Sequence, residues 1–251
     1  MPLDKDIIRE AAISVGIDQV GITDSAPLTY FKSRLQKRVN ENRISPFEEK
    51  NLELRLNPAF LLDNCRSIIV LAIPYPSSLN TSYHPSDEPH GLVARCARSI
   101  DYHDLLMYKA EEIMSLVQKM TKANLNYRIL TDRSPLVERE LARKAGLGLI
   151  GENCTLINAH YGSYVSLGTI LLDQEIEPDN PQEDTCLSCG RCRKACPTGA
   201  LIEPHIIDPS MCLSYFSQAS GTFPIDMRNL LGNRIYGCDL CQEACPLNEN
   251  T

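Results

Sequence analysis

The sequence predicts an α+β fold in which a large mixed domain is followed by a small cysteine-rich module. Amphipathic helical segments and short apolar strands follow one another through residues 1–175. Eight of the eleven cysteines then fall within the last third of the chain. We therefore expect two domains, at residues 1–176 and 177–251, with the acidic, proline-containing stretch 174–184 as the linker.

The elements of the large domain are predicted from the spacing of apolar residues. A helix is expected at 4–15, where Ile8 and Ala12 lie one turn apart on an apolar face. The apolar run 67–73, which ends at Pro74, is typical of a central strand buried on both faces. The other predicted elements are strands at 19–23 and 127–131, helices at 27–39, 101–120 and 135–146, an irregular ligand-lining loop at 74–89, and a hairpin of the strands 155–158 and 164–172.

The cysteine spacing predicts two [4Fe-4S] clusters. The two runs are Cys186-x2-Cys189-x2-Cys192-x3-Cys196-Pro197 and Cys238-x2-Cys241-x3-Cys245-Pro246. In such a run three thiolates bind one cluster, whereas the cysteine that precedes proline binds the other cluster. The second run has Ile235 in place of its first cysteine, and Cys212 is the only cysteine between the runs.

Cys212 is therefore expected to supply the eighth ligand. The predicted ligands are Cys186, Cys189, Cys192 and Cys245 for cluster one, and Cys196, Cys212, Cys238 and Cys241 for cluster two. Two structural zinc sites are the alternative, because zinc also binds four thiolates through C-x2-C pairs. The doubled C-x2-C-x3-C-P pattern favours iron–sulfur clusters.

Charge and hydropathy bear on location and partners. No apolar run is long enough to span a bilayer and the N-terminus does not resemble a signal segment, so a cytoplasmic protein without membrane contact is expected. The formal charge of −7 argues against indiscriminate binding of nucleic acid. Two local basic clusters, either solvated helix faces or nucleic-acid contacts, are Arg34, Lys37, Arg38 and Arg43, and Lys119, Lys122, Arg128, Arg133, Arg139, Arg143 and Lys144.

A glycine motif at 146–151 matches the G-x-G-x-x-G dinucleotide pattern. It follows a predicted helix and precedes a strand, whereas a dinucleotide-binding motif requires the opposite order. The glycines are more simply explained by a tight turn or by the close approach of the backbone to a flat ligand.

Several long motifs resemble the epoxyqueuosine reductases, which are cobalamin-dependent iron–sulfur enzymes of tRNA queuosine synthesis. Segment 131–173 contains T-D-R-S-P-L-V-E-R-E-L-A-R-K-A-G-L-G-L-I-G-E-N-C-T-L-I-N followed by G-S-Y-V-S-L-G-T-I-L-L-D. D-Y-H at 101–103, C-G-R-C-R-K-A-C-P-T-G-A-L, C-L-S-Y at 212–215 and G-N-R-I-Y-G-C-D-L-C-Q-E-A-C-P at 232–246 follow the family's pattern in the same order. The resemblance covers nearly the whole chain.

The resemblance implies a nitroreductase-like cobalamin-binding domain, distantly shared with reductive dehalogenases, followed by a bacterial two-[4Fe-4S] ferredoxin-like domain. It implies that cobalamin binds base-off, and the sequence has no D-x-H-x-x-G segment to supply an axial imidazole. Asp132, at the end of a strand, matches the family's proposed proton donor, which faces the cobalt. Regions that line the corrinoid in the family match Arg55, Arg95, Leu156 and Asp239.

The chemistry of the implied reaction also needs an acid. Converting an epoxide to an alkene consumes two electrons and two protons and releases water. For Asp132 to be that acid, burial or a neighbouring negative charge must raise its pKa. The alternative is that Asp132 caps a helix that begins at Pro135. Asp101 and His103 either position substrate or form the cap and the exposed first turn of their helix.

Substrate and partners are less constrained by these residues. Better-known members of the family carry a further C-terminal helical-repeat domain that helps to grip tRNA, so a short form is expected from a chain ending at Thr251. The implied partners are a tRNA substrate and an external ferredoxin or flavodoxin as electron donor. The alternatives are a corrinoid reductase of another substrate, similar to a reductive dehalogenase, and an iron–sulfur electron-transfer subunit.

Overall fold

The computed structural model describes residues 3–75, 91–132, 134–182 and 185–249. The strands among these residues are β1 Gln19–Asp24, β2 Ser67–Pro74, β3 Leu92–Val93, β4 Tyr127–Thr131, β5 Leu149–Ile150, β6 Leu156–Ile157, β7 Val165–Leu172, β8 Leu201–Glu203, β9 Ile206–Ile207 and β10 Arg234–Tyr236. The α-helices are α1 Lys5–Ser14, α2 Lys32–Asn40, α3 Leu52–Leu56, α4 Tyr102–Thr121, α5 Glu138–Lys144, α6 Arg191–Ala195, α7 Leu213–Phe216, α8 Ile225–Leu231 and α9 Leu240–Glu243.

A four-stranded antiparallel sheet with the order β1-β2-β7-β4 forms the centre of the large domain. Side chains alternate across β2, so Ile69 and Leu71 face the core that α1 and α4 cover. Ile68 and Val70 face a second core, to which α2 and α5 contribute. The predicted strand at 67–73 is therefore central and buried on both faces. The mixed helix-and-strand architecture expected of an α+β fold is confirmed.

Two predicted helices begin later in the structure than the sequence pattern indicates. The helix expected from residue 27 begins at Lys32, because the preceding segment is a 3-10 turn and the backbone N–H of Leu28 is bound to the carbonyl of Leu56. The helix expected from Pro135 begins at Glu138. Leu136 and Val137 are buried in the second core, and this packing holds the segment before α5 out of a helical path.

The predicted hairpin of residues 155–158 and 164–172 is wrong. β6 pairs with β5, whereas β7 lies between β2 and β4 in the main sheet. Asn158 accounts for this separation. Its side-chain amide donates to the carbonyl of Leu147, while its Oδ1 accepts from the backbone of the turn that follows. Among the described residues, the isolated bridge between Asn158 and Gly162 closes the turn and does not involve the predicted second strand.

The glycines at 146–151 allow close packing within the chain. Gly148 has φ +156°, and a Cβ there would collide with the carbonyl oxygen of Ile157. A Cβ at Gly151 would lie 2.5 Å from the Asn153 side chain. The pairing of β5 with β6 thus requires these glycines.

The cysteine-rich module packs against the large domain. The Asn248 side chain donates to Ser163 Oγ at 2.8 Å and accepts from the Ser163 backbone N–H at 2.8 Å, and β10 pairs with β3. Asp179 still contacts Arg9 and the backbone of Ile22, so contacts of the large domain extend past the predicted boundary at 176, which stays a prediction.

Two other sequence-based expectations concern the membrane and the proline-rich loop. The structure contains no helix, within its described ranges, of the length and apolarity needed to cross a bilayer. The loop expected at 74–89 lies for the most part outside the described residues.

Candidate active site

The structure brings the cysteines together in the two sets of four that the sequence predicts. Quartet one, which is Cys186, Cys189, Cys192 and Cys245, lines one small cavity. Quartet two consists of Cys196, Cys212, Cys238 and Cys241. Within each quartet the thiols are close enough for the charge on one to raise the pKa of another. The two quartets adjoin, because the charge of Cys192 reaches Cys241.

The electrostatics of the quartets fit a cationic metal group. Burial raises the pKa of Cys241, and the neighbouring thiolates raise it further. Four such thiolates need positive charge among them. Cys196 differs: burial opposes its ionisation, but hydrogen bonds from Thr198 and from nearby backbone N–H groups outweigh that effect and lower its pKa.

The space that the sulfurs enclose also bears on the choice of metal group. Among the described residues, no three His, Cys, Asp or Glu side chains converge closely enough to hold a single ion. The sulfurs of quartet one surround a small cavity, which fits a cluster with several irons. The role of the individual cysteines as ligands stays a prediction.

Asp132 lines a cavity of about 460 Å³ in the large domain, and residues of β7 and of the segment before α5 also line it. It directly follows β4 and has a backbone φ of +38°, an uncommon conformation for a residue other than glycine. Tyr75, Cys96, Tyr102 and Glu138 line the same cavity. The side chain of Asp132 is 61% exposed, so molecules entering from solvent can reach it.

The helix-cap alternative for Asp132 is wrong. α5 begins at Glu138, its N-cap residue is Val137, and no side chain caps it. The Asp132 carboxylate instead lies 3.2 Å from His103 Nε2 and interacts with the hydroxyl of Tyr102. Its partners are thus two side chains at the start of α4.

Asp101 caps α4, which is one of the two roles that the sequence leaves open, and its role in positioning substrate stays a prediction. Its Oδ1 accepts from the backbone N–H of His103, which caps α4, and also lies 2.6 Å from Nδ1 of the same residue. Burial disfavours the charged imidazole, but the hydrogen bonds to Asp101 and Asp132 outweigh it and raise the pKa of His103. The Tyr102 ring stacks on this imidazole at 4.1 Å. The result is an Asp–His–Asp array that ends in the cavity.

Glu138 also lines this cavity, although the sequence does not identify it as a site residue. Its carboxyl is almost wholly enclosed by protein, although the residue as a whole keeps some exposed surface. Burial, reinforced by the charge of Asp132, raises the pKa of Glu138 to about 8, while Arg139 opposes the shift. Acidic residues are common in the first turn of a helix, so the pattern around Glu138 has no unusual feature.

A second cavity, of about 530 Å³, lies beside the first and is strongly basic. Both cavities are lined in part by Arg55, Val137 and Arg139. The cationic residues around the second cavity are Arg34, Lys37, Arg38, Arg55, Arg139 and Arg143. Cys186 of quartet one also lines it, so it extends from the first cavity towards the module.

The other residues predicted to line a corrinoid lie in different surroundings. Of these four residues, Arg55 lines both large cavities, and its guanidinium is paired with Glu48 at 2.6 Å. Arg95 donates its backbone N–H to the Asp239 carboxylate at 2.8 Å, at the contact between the domains. Leu156 is 3% exposed and packs in the second core. Their roles in binding a cofactor stay predictions.

Cys241 of quartet two is followed in sequence by a residue that contacts the wall of the Asp132 cavity. Gln242 follows Cys241, and its Oε1 accepts from the Tyr75 hydroxyl at 3.3 Å and from Ser163 Oγ at 2.9 Å. Tyr75 itself lines the cavity. Gln242 and Tyr75 therefore connect Cys241 of quartet two with the cavity.

The two basic clusters are largely paired with acidic residues or backbone carbonyls. In the first, Arg38 binds Glu48, and Arg43 binds Glu41. The paired members of the second are Arg128 with the Leu61 carbonyl, Arg139 with the Cys154 carbonyl, Arg143 with Glu140, and Lys144 with Asp24. Arg133 lies outside the described residues.

Two family models match separate parts of the chain. Residues 55–133 match the model described as epoxyqueuosine reductase QueG, DUF1730, and residues 185–248 match the 4Fe-4S double cluster binding domain. The second match covers all eight quartet cysteines, and the chain therefore contains the double-cluster domain that their spacing predicts.

Relatives and solved structures are similar over almost the whole chain. An epoxyqueuosine reductase of Bacillus subtilis is 36% identical over 98% of this chain and 64% of its own length. The structure of the enzyme from Streptococcus thermophilus superimposes with a TM-score of 0.94 at 34% identity, covering 98% of this chain and 66% of that one. A reductive dehalogenase shares the fold alone, with a TM-score of 0.57 at 16% identity over 96% of this chain and 31% of that one.

The chain spans about 65% of the length of the first curated relatives it matches. One relative is covered more fully: the epoxyqueuosine reductase of Lactococcus garvieae is 34% identical over 98% of this chain and 70% of its own length. On this similarity, and on the matching motifs and fold, the chain belongs to the epoxyqueuosine reductase family.

Proposed function

We propose that this chain is a cobalamin-dependent iron–sulfur reductase that converts epoxyqueuosine to queuosine in tRNA by two-electron deoxygenation of the epoxide. One observation carries the proposal. Asp132, an acid reachable from solvent, borders a cavity whose wall contacts the helix that holds Cys241. Such a cavity combines a source of protons with a nearby source of electrons, and epoxide deoxygenation consumes both.

The proposed cluster ligands are those that the spacing predicts, with quartet one binding one [4Fe-4S] cluster and quartet two binding the other. Quartet two, whose Cys241 precedes the residue that is hydrogen-bonded to Tyr75 of the cavity wall, passes electrons to the Asp132 cavity. Quartet one includes Cys189, which is exposed, and lies next to Leu187, which is 58% exposed. We assign this surface to the docking of an external ferredoxin or flavodoxin.

The two adjoining cavities are the proposed cobalamin site, within a nitroreductase-like domain. Their combined extent fits a large ligand, and Arg55, where they meet, could contact it. Bound cobalamin would supply low-potential reducing chemistry beside Asp132. Both ring nitrogens of His103 lie against carboxylates, so this imidazole would orient Asp132 beside the cofactor.

Asp132 is the proposed proton donor to the departing oxygen. His103 holds its carboxylate at the cavity edge, and Asp101 fixes the tautomer and orientation of the imidazole through Nδ1. The exposure of Asp132 suits a substrate carried on a macromolecule, because the modified base can enter while the rest of the RNA stays outside. A related epoxyqueuosine reductase, 35% identical, has been solved with an epoxyqueuosine-modified tRNA stem loop.

The proposal is tested with reconstituted protein, cob(II)alamin and a tRNA stem loop that contains epoxyqueuosine. We expect a base-off spectrum on titration with the cofactor and formation of queuosine under reducing conditions. Asp132→Ala should preserve the spectrum and lower turnover at least about 100-fold, the range typical of a lost general acid. Glu112→Gln, which neutralises a surface carboxylate on α4, should behave as wild type.

Three results would contradict the proposal or a part of it. If cob(II)alamin caused no spectral change, the chain would be better described as an electron-transfer subunit. If Asp132→Ala kept full turnover, Asp132 would not be the proton donor. A protein that binds the cofactor yet leaves the stem loop unchanged would point to a corrinoid reductase with another substrate.

A further inference from the structure

The reaction proposed above needs two protons at each turnover, and Asp132 can hold only one. Three other carboxyl groups line the cavity. Glu48 is paired with Arg38 and Arg55, and Glu49 accepts from the backbone N–H of Asn51. The third is that of Glu138. Its Oε1 is shielded from solvent and has no hydrogen-bond partner among the described residues. An ionised carboxylate without partners is strongly disfavoured in such a place, whereas a protonated carboxyl is tolerated.

The groups around Glu138 reinforce this preference. Asp132 repels a negative charge on Glu138, and the mutual repulsion of Glu138 and Tyr102 raises the pKa of that tyrosine. Arg139 attracts such a charge, but its guanidinium is hydrogen-bonded to the carbonyl of Cys154. The balance raises the pKa of Glu138 to about 8, so the carboxyl is mostly protonated at pH 7.

We propose that Glu138 stores the second proton of the reaction and delivers it to Asp132. This inference rests on the proposed function. The electrons come from the external ferredoxin or flavodoxin through the clusters. Asp132 protonates the epoxide oxygen as one C–O bond breaks, Glu138 reprotonates Asp132, and the second proton leaves with the hydroxyl as water when the other C–O bond breaks. Two electrons and two protons thus convert the epoxide to an alkene and water.

The storage of a proton can be measured without any turnover. Infrared spectra of the reconstituted protein should contain a carboxylic-acid carbonyl band at pH 7 that disappears as the pH rises through about 8. Glu138→Gln should lack this band, and Glu112→Gln should keep it. A band that persists in Glu138→Gln, or no such band in wild type, would overturn the proposal.

Delivery of the proton is tested by single turnover on the epoxyqueuosine stem loop. Glu138→Gln should be about 10- to 100-fold slower than wild type, because a proton from solvent must replace the stored one. Wild type should become slower above pH 8, and Glu138→Gln should not show this decline. Glu138→Asp should recover part of the rate. Equal rates and pH profiles in wild type and Glu138→Gln would overturn the role.

Glutamine is nearly isosteric with glutamate, and unchanged iron content and cofactor spectrum would show that Glu138→Gln is folded. The two proposals also fail differently. Wild-type protein that shows the infrared band but leaves epoxyqueuosine unchanged would contradict the proposed function, and with it the delivery step. A wild-type enzyme that is active and shows no band would contradict the role of Glu138 alone.

Discussion

The two regions of this molecule are stabilised by different forces. Both apolar cores lie within residues 8–176, one on each face of the four-stranded sheet. In the cysteine-rich module, the buried apolar residues among those described are few and scattered: Cys192, Ala200, Leu201, Leu213 and Leu231. The large domain can fold by burying apolar surface, at about 25 cal/mol for each Å² removed from water. The module lacks such a core.

The difference indicates what the module needs in order to fold. Small domains without an adequate core are usually stabilised by disulfides or metals, and metal binding then contributes directly to folding. The cysteines of this module form no disulfides among the described residues and are grouped in the two quartets, of which quartet one surrounds a cavity. We therefore expect the clusters to stabilise the module, whereas the large domain should be stable without them.

The largest effect should follow the loss of a cluster ligand. Cys241→Ser removes a thiol from quartet two, so the module should lose its hydrogen-exchange protection while β2 and β7 keep theirs. Hydrogen exchange and iron content are the measurements. Cys65→Ser, which alters a half-buried cysteine of the large domain, should keep the full iron content. Loss of protection in both regions of Cys241→Ser would show that they fold as one unit.

A substitution in the core of the large domain tests whether its stability is independent of the module. Leu106 on α4 is fully buried and its side chain packs against Gly168 of β7, so Leu106→Ala should lower the free energy of unfolding by about 2–5 kcal/mol. Met107→Ala, at a 39% exposed neighbour, should cost less than about 1 kcal/mol. Denaturant unfolding measures both. Iron content should be unchanged in each, and a loss of iron in Leu106→Ala would contradict the independence of the two regions.

A smaller effect should come from the contact between the regions. Asn248→Ala leaves the Ser163 backbone N–H without its acceptor, which should cost about 1–3 kcal/mol. Glu249→Gln breaks only an exposed ion pair with Arg191 and should cost less than about 1 kcal/mol. Hydrogen exchange at residues 161–164 provides a local measurement. Unchanged exchange there in Asn248→Ala would show that this contact does not couple the regions.

Much of the fold could be predicted because the residues that mark a helix or strand lie within it or next to it. α1, α4 and β4 lie within a residue or two of the expected bounds, and Asp4 and Asp101 cap the helices whose starts they mark. The errors came from distant contacts. The late start of α5 depends on the burial of Leu136 and Val137, which their sequence neighbours do not reveal.

Strand pairing shows the same limit. Residues 164–172 are a strand, as expected, but β2 and β4 are its neighbours, and both are far away in sequence. A turn such as 160–163 makes a hairpin plausible without requiring one, since strand partners are chosen by burial across the whole sheet.

The sequence alone shows which atoms can act: seven thiols in two runs with an eighth between them, and a carboxylate at the end of a strand. Their spacing is a local property, so the two quartets and the position of Asp132 could be deduced from it. Only the tertiary structure decided the environment of each group. It paired His103 with two carboxylates and enclosed Glu138, and these environments set the pKa of each side chain because desolvation and nearby charge depend on residues distant in the chain.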